Sequence, residues 1–315
     1  MFTPRYSRSS QGDLVNGPAT ASSEISYSAR REDLYCPWER GDYFSAGQPL
    51  TESGLCVEIA RLAYCRKPSS FPFDQEKIQE VLGRLDFTHF QFFESRQDVE
   101  GRGTHCFLAL RSAADKDKKL AVVAFRGTDA DDPSDLADDA DIVLTPWQKG
   151  GRVHRGFANA LEEIWLDLER ALQLIDCRVL FTGHSLGAAM ATLLASVRKP
   201  DFLCTFGSPR VGDAEFVSGL GGIPCSRYVD CCDLVARIPP DLLGYKHVGE
   251  PYYINAGRRL VCDLDEAAMT QDQNGAREEY ILKYSWRVGN VAIRDLADHA
   301  PINYVSAILA DGRRP

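Results

Sequence analysis

Between Leu120 and Asp230 short apolar runs alternate with amphipathic or small-residue segments, and this alternation restricts the fold more than any other feature of the chain. LAVVAF, CRVLFTG, FLCTFGS and SRYVD read as strands; FANALEEIWLDLERALQLI, SLGAAMATLLASVRK and DAEFVSGL, lying between them, read as helices. Strands that alternate with helices predict an α/β fold with a central, mostly parallel sheet, right-handed crossovers and helices on both faces. LAVVAF is apolar at every position, as a central strand covered on both sides requires. Upstream, HFQFFES and THCFLALRS add strand-like runs. SGLCVEIARLAYCRKP and DQEKIQEVLGRL add helical ones, with Asp74 suited to the N-cap of the second.

At 315 residues the chain is long enough for one large core, and no apolar run approaches the length of a membrane span. Its net charge of -9 leaves no basic stripe to neutralise phosphates, so nucleic acid is not an expected partner. Residues 1–34 are polar and lack apolar periodicity, and they are expected to form a disordered leader before a single domain at 35–315. That leader has no apolar h-region, and the ten cysteines are scattered without CxxC pairs. Both observations suggest a cytoplasmic protein, with export by a leaderless route as the alternative. The vicinal Cys231 and Cys232 read as packing residues, and neither a metal nor a cofactor is expected.

Within FTGHSLGAAM, Ser185 stands between Gly183 and Gly187 where a strand gives way to a helix. Ligands of open α/β sheets bind at the carboxyl ends of strands, and a serine on a sharp strand-to-helix turn is the arrangement of a nucleophile elbow. On such a fold the acid and then the histidine follow the serine in the chain. Two histidines do so: His299, in DHAPINY, suits a loop after the last strand, whereas His247, hemmed in by aromatic residues, reads as structural. Asp230 and Asp233 both follow SRYVD closely enough to orient an imidazole, and spacing does not choose between them. For an oxyanion hole, the N–H of Leu186 at the helix start and that of Thr128, after the strand ending in AFRGT, are the expected donors.

AFRGT, VHRGF, TGHSLGAAMATL, TFGSPRVGD and RYVDCCDLVARIPP occur in this order, followed by GYKHVGEPYY and DHAPINYV. In these blocks the chain resembles the class 3, fungal-type lipases of the α/β-hydrolase fold, most closely their bacterial branch, from about Leu55 to Val305. The resemblance implies a serine hydrolase of lipid esters acting through an acyl-enzyme, with Ser185, Asp233 and His299 as the triad and Thr128 and Leu186 as oxyanion donors. A carboxylesterase, a phospholipase A1 and a catalytically silent binding protein are the alternatives. His184 and His154 match positions that support the architecture. Asp230 and Ala236 depart from the family pattern, which has Asn and Pro there.

The resemblance also implies a lid before VHRGF, in a segment with seven aspartates from Asp129 to Asp141. An EF-hand loop starting at Asp129 would need Gly and Glu where Ser134 and Ala140 stand. Leu136, Ala140 and Val143 share a helical face, so residues 129–150 are expected to cover the site and touch a lipid interface transiently. The expected partner is an ester or acylglycerol substrate.

Overall fold

In the computed structural model, which describes residues 26–41, 44, 50–67, 70–95, 103–112, 119–127 and 142–311, the expected alternation is realised as an eight-stranded sheet. The strands are β1 (Phe87–Glu94), β2 (His105–Arg111), β3 (Leu120–Phe125), β6 (Arg178–His184), β7 (Phe202–Phe206), β8 (Cys225–Asp230), β9 (Pro251–Ile254) and β10 (Leu260–Val261). They lie in the order β1-β2-β3-β6-β7-β8-β9-β10. From β3 to β9 every neighbouring pair is parallel, and β1, β2 and β10 add antiparallel edges. A separate hairpin pairs β4 (Leu144–Pro146) with β5 (Arg152–His154).

The period of two in the central strands divides the core into two layers. Leu120, Val122 and Ala124 of β3 enter one cluster, while Ala121, Val123 and Phe125 enter the other. The first layer is closed by α2 (Glu52–Leu62), α3 (Gln75–Gly83) and α9 (Pro301–Asp311), through residues such as Ile59, Ile78 and Ile308. α4 (Arg155–Gln173) and α5 (Leu186–Val197) close the second through Leu161, Leu168 and Leu193. Thr51 caps α2 by accepting from the Gly54 N–H at 3.0 Å, and Asp74 caps α3 by accepting from that of Lys77 at 3.2 Å.

Two parts of the chain depart from expectation. Residues 26–34, assigned to a disordered leader, are ordered against the domain: Ala29 and Leu34 join Tyr280, Val291, Ala297, Ala300 and Ile302 in a satellite core. The few apolar residues responsible are too sparse to make a periodic pattern, and their burial depends on partners more than 240 positions away. Residues 26–34 therefore pack with the domain, and residues 1–25 fall outside the described ones. The second departure is α7 (Glu266–Lys283), an 18-residue helix that buries only Ala276 and Tyr280 and so has no apolar stripe to reveal it. α7, with the short α1 (Arg31–Tyr35) and α8 (Arg294–Ala297), flanks the satellite core. α6 (Ala214–Gly219) joins β7 to β8.

Candidate active site

β6 ends at His184, and Ser185 turns the chain into α5 with φ 59° and ψ -130°. This backbone conformation is costly for a non-glycine residue and needs its neighbours to hold it. The two glycines follow from the sharpness of that turn. A Cβ on Gly183 would stand 2.3 Å from the Gly187 carbonyl carbon, and one on Gly187 would stand 2.3 Å from the Phe125 carbonyl oxygen. Because both obstacles are backbone, Gly187→Ala is expected to destabilise the protein by about 2–4 kcal/mol. A urea melt followed by circular dichroism checks this; an unchanged midpoint would mean that β3 and α5 do not approach so closely.

The loops after β7 and β8 and the turn before α9 bring the remaining groups to the serine. His299 Nε2 lies 2.9 Å from Ser185 Oγ, and its Nδ1 lies 2.9 and 3.0 Å from Asp233 Oδ2 and Oδ1. The carboxylate accepts on both of its oxygens, which makes Nδ1 the protonated nitrogen and leaves Nε2 to accept from the serine hydroxyl. All three side chains are buried, with Ser185 4%, Asp233 1% and His299 3% exposed. Burial by itself would raise the Asp233 carboxyl, but the His299 imidazole and the hydrogen bonds from it and from Tyr304 hold it below the ordinary carboxylate value. His299 reaches this place from the turn between α8 and α9, after the last strand but separated from it by α7 and α8.

Asp230 does not reach the imidazole. Its two oxygens both accept from Arg258 Nη1 at 2.6 Å, and burial, only partly offset by that guanidinium, raises its carboxyl to about 7. His247 also stands apart, with Nε2 donating to the Ala236 carbonyl at 2.8 Å; burial and two nearby arginines push its pKa down to about 3. His154 accepts from the Phe157 N–H at the start of α4 and stacks on the Phe157 ring.

Three residues that sequence reasoning did not single out complete the setting. Tyr304 donates to Asp233 Oδ2 at 2.5 Å while accepting from the Asp230 N–H at 3.0 Å, so one phenol links both carboxylate-bearing residues. Gly207, at φ 56°, leaves the space for the pair; a Cβ there would lie 2.7 Å from Asp233 Oδ2 and 3.1 Å from His299 Nδ1. Tyr64 lies on the far side of His184, 2.8 Å from its Nδ1. The glycine of TFGSPR is the one signal of this group visible in the sequence.

His184 Nε2 donates to the His299 carbonyl at 2.8 Å, so Nδ1 accepts from the Tyr64 hydroxyl. Burial first, and the neighbouring His299 second, lower the His184 pKa well below its ordinary 6.5, and the ring is neutral. A histidine held neutral in the fold contributes stability above its unfolded pKa of about 6.5 that is lost as pH falls toward the folded value. His184→Gln is accordingly expected to reduce the acid-side fall of the urea midpoint between about pH 7 and 5; titrating the midpoint of both proteins checks this, and an equal slope would count against a neutral His184.

Leu186 opens α5, where its N–H has no intrahelical acceptor and points from the positive end of the helix. Thr128 falls outside the described residues, as do residues 129–141 of the expected lid. Gly127 is described, and a Cβ on it would collide with the Tyr64 hydroxyl and the His184 carbonyl, so the chain leaving β3 runs against the elbow. Cys231, Cys232 and Asp298 also converge. Asp298, however, already accepts from the Cys232 N–H, Arg294 and the Tyr27 hydroxyl at 2.9, 3.0 and 2.8 Å.

A serine at a strained elbow, an imidazole and a buried carboxylate in hydrogen-bonded series form an arrangement that recurs among hydrolases. Residues 122–243 match the class 3 lipase family. Secreted mono- and diacylglycerol lipase 1 of Fusarium solani is 29% identical over 253 residues, covering 64% of this chain and 76% of that protein. A lipase of Rhizopus niveus is 32% identical over 239 residues, with 68% of this chain and 56% of its own length covered, so the chain spans little more than half of that relative. Lipase II from Rhizopus niveus, as a solved structure, gives a TM-score of 0.52 at 27% identity over 64% of this chain and 79% of that one. The fold is that of an α/β hydrolase, and the chain is similar over these stretches to carboxylic ester hydrolases of the class 3 lipase family.

The comparisons also correct two expectations. The relatives are fungal and plant lipases, and placement on a bacterial branch is not supported. A cytoplasmic location is overturned by likeness to a lipase described as secreted. It had been inferred from the polar N-terminal text and from cysteine spacing, neither of which dictates where a chain is delivered. No helix among the described residues is long and apolar enough to cross a membrane.

Proposed function

We propose that the protein hydrolyses ester bonds of acylglycerols outside the cell, with Ser185 as nucleophile, His299 as general base and then acid, and Asp233 as the group that orients and charges the imidazole. The observation that carries this reading is the continuous series from Ser185 Oγ through His299 to Asp233, with contacts of 2.9 Å on each side of the ring, at an elbow of positive φ. Ser185 Oγ attacks the ester carbonyl carbon as its proton passes to His299 Nε2. The N–H groups of Leu186 and Thr128 receive the oxyanion. As the tetrahedral intermediate collapses, His299 returns the proton to the departing alkoxide and the acyl group remains on Ser185. Water then attacks the acyl carbon as its proton passes to the same imidazole, which returns it to Ser185 Oγ as the fatty acid is released. The names of the Fusarium solani and Rhizopus niveus relatives support lipid esters as substrate, and the first supports secretion. Residues 129–150 are proposed to contact the lipid interface.

Hydrolysis of p-nitrophenyl esters from acetate to palmitate, beside emulsified mono-, di- and triacylglycerols, tests the proposal. Turnover of long-chain esters and of at least one acylglycerol is expected. Activity confined to acetate and butyrate would replace the acylglycerol reading with that of a soluble-ester hydrolase.

A further inference from the structure

The stretch 26–41, which the chemistry above does not use, is tied to the turn that presents His299. Tyr27 donates to Asp298 Oδ1 at 2.8 Å, and Asp298 is the residue next to the imidazole. Two guanidinium groups stand over its ring, with Arg258 5.2 Å and Arg294 5.4 Å from the centroid. Arg294 also donates to Asp298 Oδ2 at 3.0 Å, and Arg258 is the partner of Asp230, whose N–H meets Tyr304. One residue further on, Ser28 and Asn303 exchange a pair of hydrogen bonds: the Ser28 N–H donates to Asn303 Oδ1 and Asn303 Nδ2 donates to the Ser28 carbonyl, both at 2.8 Å. Ala29 accepts from the Val291 N–H at 2.8 Å, and the Arg31 N–H donates to the Gly289 carbonyl at 2.9 Å.

The segment is anchored at its other end. Ser28 Oγ donates to Asp33, whose carboxylate accepts from Arg40 Nε and Nη2 at 2.7 Å each. The buried Arg61 of α2 donates to the Pro37 carbonyl and pairs with Glu58. Ala29 and Leu34 of the segment share their satellite core with Ala297 and Ala300, which bracket Asp298 and His299 on either side. The turn is also held by the Cys232 N–H and Arg294 on Asp298 Oδ2 and by His184 Nε2 on the His299 carbonyl, and Tyr27 supplies the contact on the remaining carboxylate oxygen, Oδ1.

We infer that residues 26–34 form a strap that sets the position of His299 against Ser185, with Tyr27 as its positioning residue acting through Asp298. The inference rests on the assignment of Ser185, Asp233 and His299 to ester hydrolysis. Tyr27 touches no reacting atom; its hydroxyl holds the Asp298 carboxylate, and the peptide that follows carries the imidazole. A sub-ångström shift of that imidazole lengthens the proton transfer without altering how an ester is bound, so kcat changes and KM does not.

The test uses the full chain carrying Tyr27→Phe, Asp298→Asn or both, with kcat and KM measured on p-nitrophenyl butyrate. The rate at which an alkyl p-nitrophenyl phosphonate labels Ser185 is measured on the same samples. Tyr27→Phe is expected to lower kcat about tenfold with KM unchanged, and to slow labelling by the same factor. In the Asp298→Asn background it is expected to add less than about twofold, because both changes interrupt one chain of contacts. Unaltered kcat in Tyr27→Phe, or losses that multiply in the double variant, would overturn the strap. A loss that merely follows the unfolded fraction seen by circular dichroism would do so as well. If Tyr27→Phe does not fold, Asn303→Ala, which breaks the exchange with Ser28, is expected to show the same fall in kcat at constant KM, and full activity there overturns the inference. Ser185→Ala separates the two readings. An active Ser185→Ala removes the triad and the strap together, whereas an inactive one beside a fully active Tyr27→Phe removes the strap alone.

Discussion

Ser185→Ala is expected to lower ester hydrolysis by about 10^4-fold or more, leaving the small rate that binding and the oxyanion donors provide. The size of the loss follows from the site's economy of contacts. Ser185 Oγ faces His299 Nε2 at 2.9 Å, while the backbone N–H of Ser185 is held separately by the Phe206 carbonyl at 3.0 Å. Removing the hydroxyl deletes the attacking atom and leaves the elbow's other supports in place. The fold should therefore be retained, and the measurement is kcat/KM on p-nitrophenyl butyrate for two proteins with matching circular dichroism. Loss of phosphonate labelling provides the independent check. If Ser185→Ala kept a tenth of the activity, on the order of a thousandfold more than this mechanism allows, the nucleophile would have to be sought elsewhere.

Asp233→Asn is expected to cost about as much, roughly 10^4-fold in kcat, without loss of folding. An amide in the carboxylate's place can present its NH2 to His299 Nδ1. The ring then carries its proton on Nε2, facing Ser185 Oγ, and has no lone pair with which to accept the serine proton. It also loses the negative charge that stabilises the imidazolium. The surroundings of Asp233 hold its geometry, since Tyr304 meets Oδ2 at 2.5 Å and the Val235 N–H meets Oδ1 at 2.8 Å. Asp230→Asn provides the contrast. That carboxylate is bound to Arg258 and does not contact the imidazole, so its replacement is expected to lower kcat by less than about tenfold while weakening a buried ion pair. Kinetics of both variants on one soluble ester distinguish the two aspartates. Equal losses would mean that the network through Tyr304 couples them more tightly than their separation implies.

The sheet was legible because its signal is local. In β3 six consecutive apolar residues fill both core layers, and no other element type suits so short a run bounded by turns. The cap at Asp74 was legible for the same reason, acting on an N–H three residues away. α7 was not, because the face it turns toward the domain, with Met269, Asp272, Gln273, Ala276, Arg277 and Tyr280, is mostly polar or small and carries no apolar stripe. The strap was hidden by the same logic: a polar text with one tyrosine looks like solvent-exposed chain until its partners, 271 and 275 positions distant, are beside it.

The elbow belongs to what the sequence determined by itself, since Gly183, Ser185 and Gly187 meet within one turn and the clashes that demand glycine come from backbone the turn itself brings close. The order in which an acid and then a histidine should follow the serine came from the nucleophile-elbow pattern, and Asp233 and His299 stand in that order after Ser185. Which side chains finally meet was decided only by tertiary structure. Ser185 and His299 are 114 positions apart and Asp233 and His299 are 66 apart, and spacing along the chain leaves Asp230 and Asp233 equivalent. The direction in which β8 releases the chain turns one carboxylate toward the imidazole and the other toward Arg258. Hydrogen bonds act over about 3 Å, so only the packed sheet, with Gly207 leaving room and Tyr304 bridging, could make that choice.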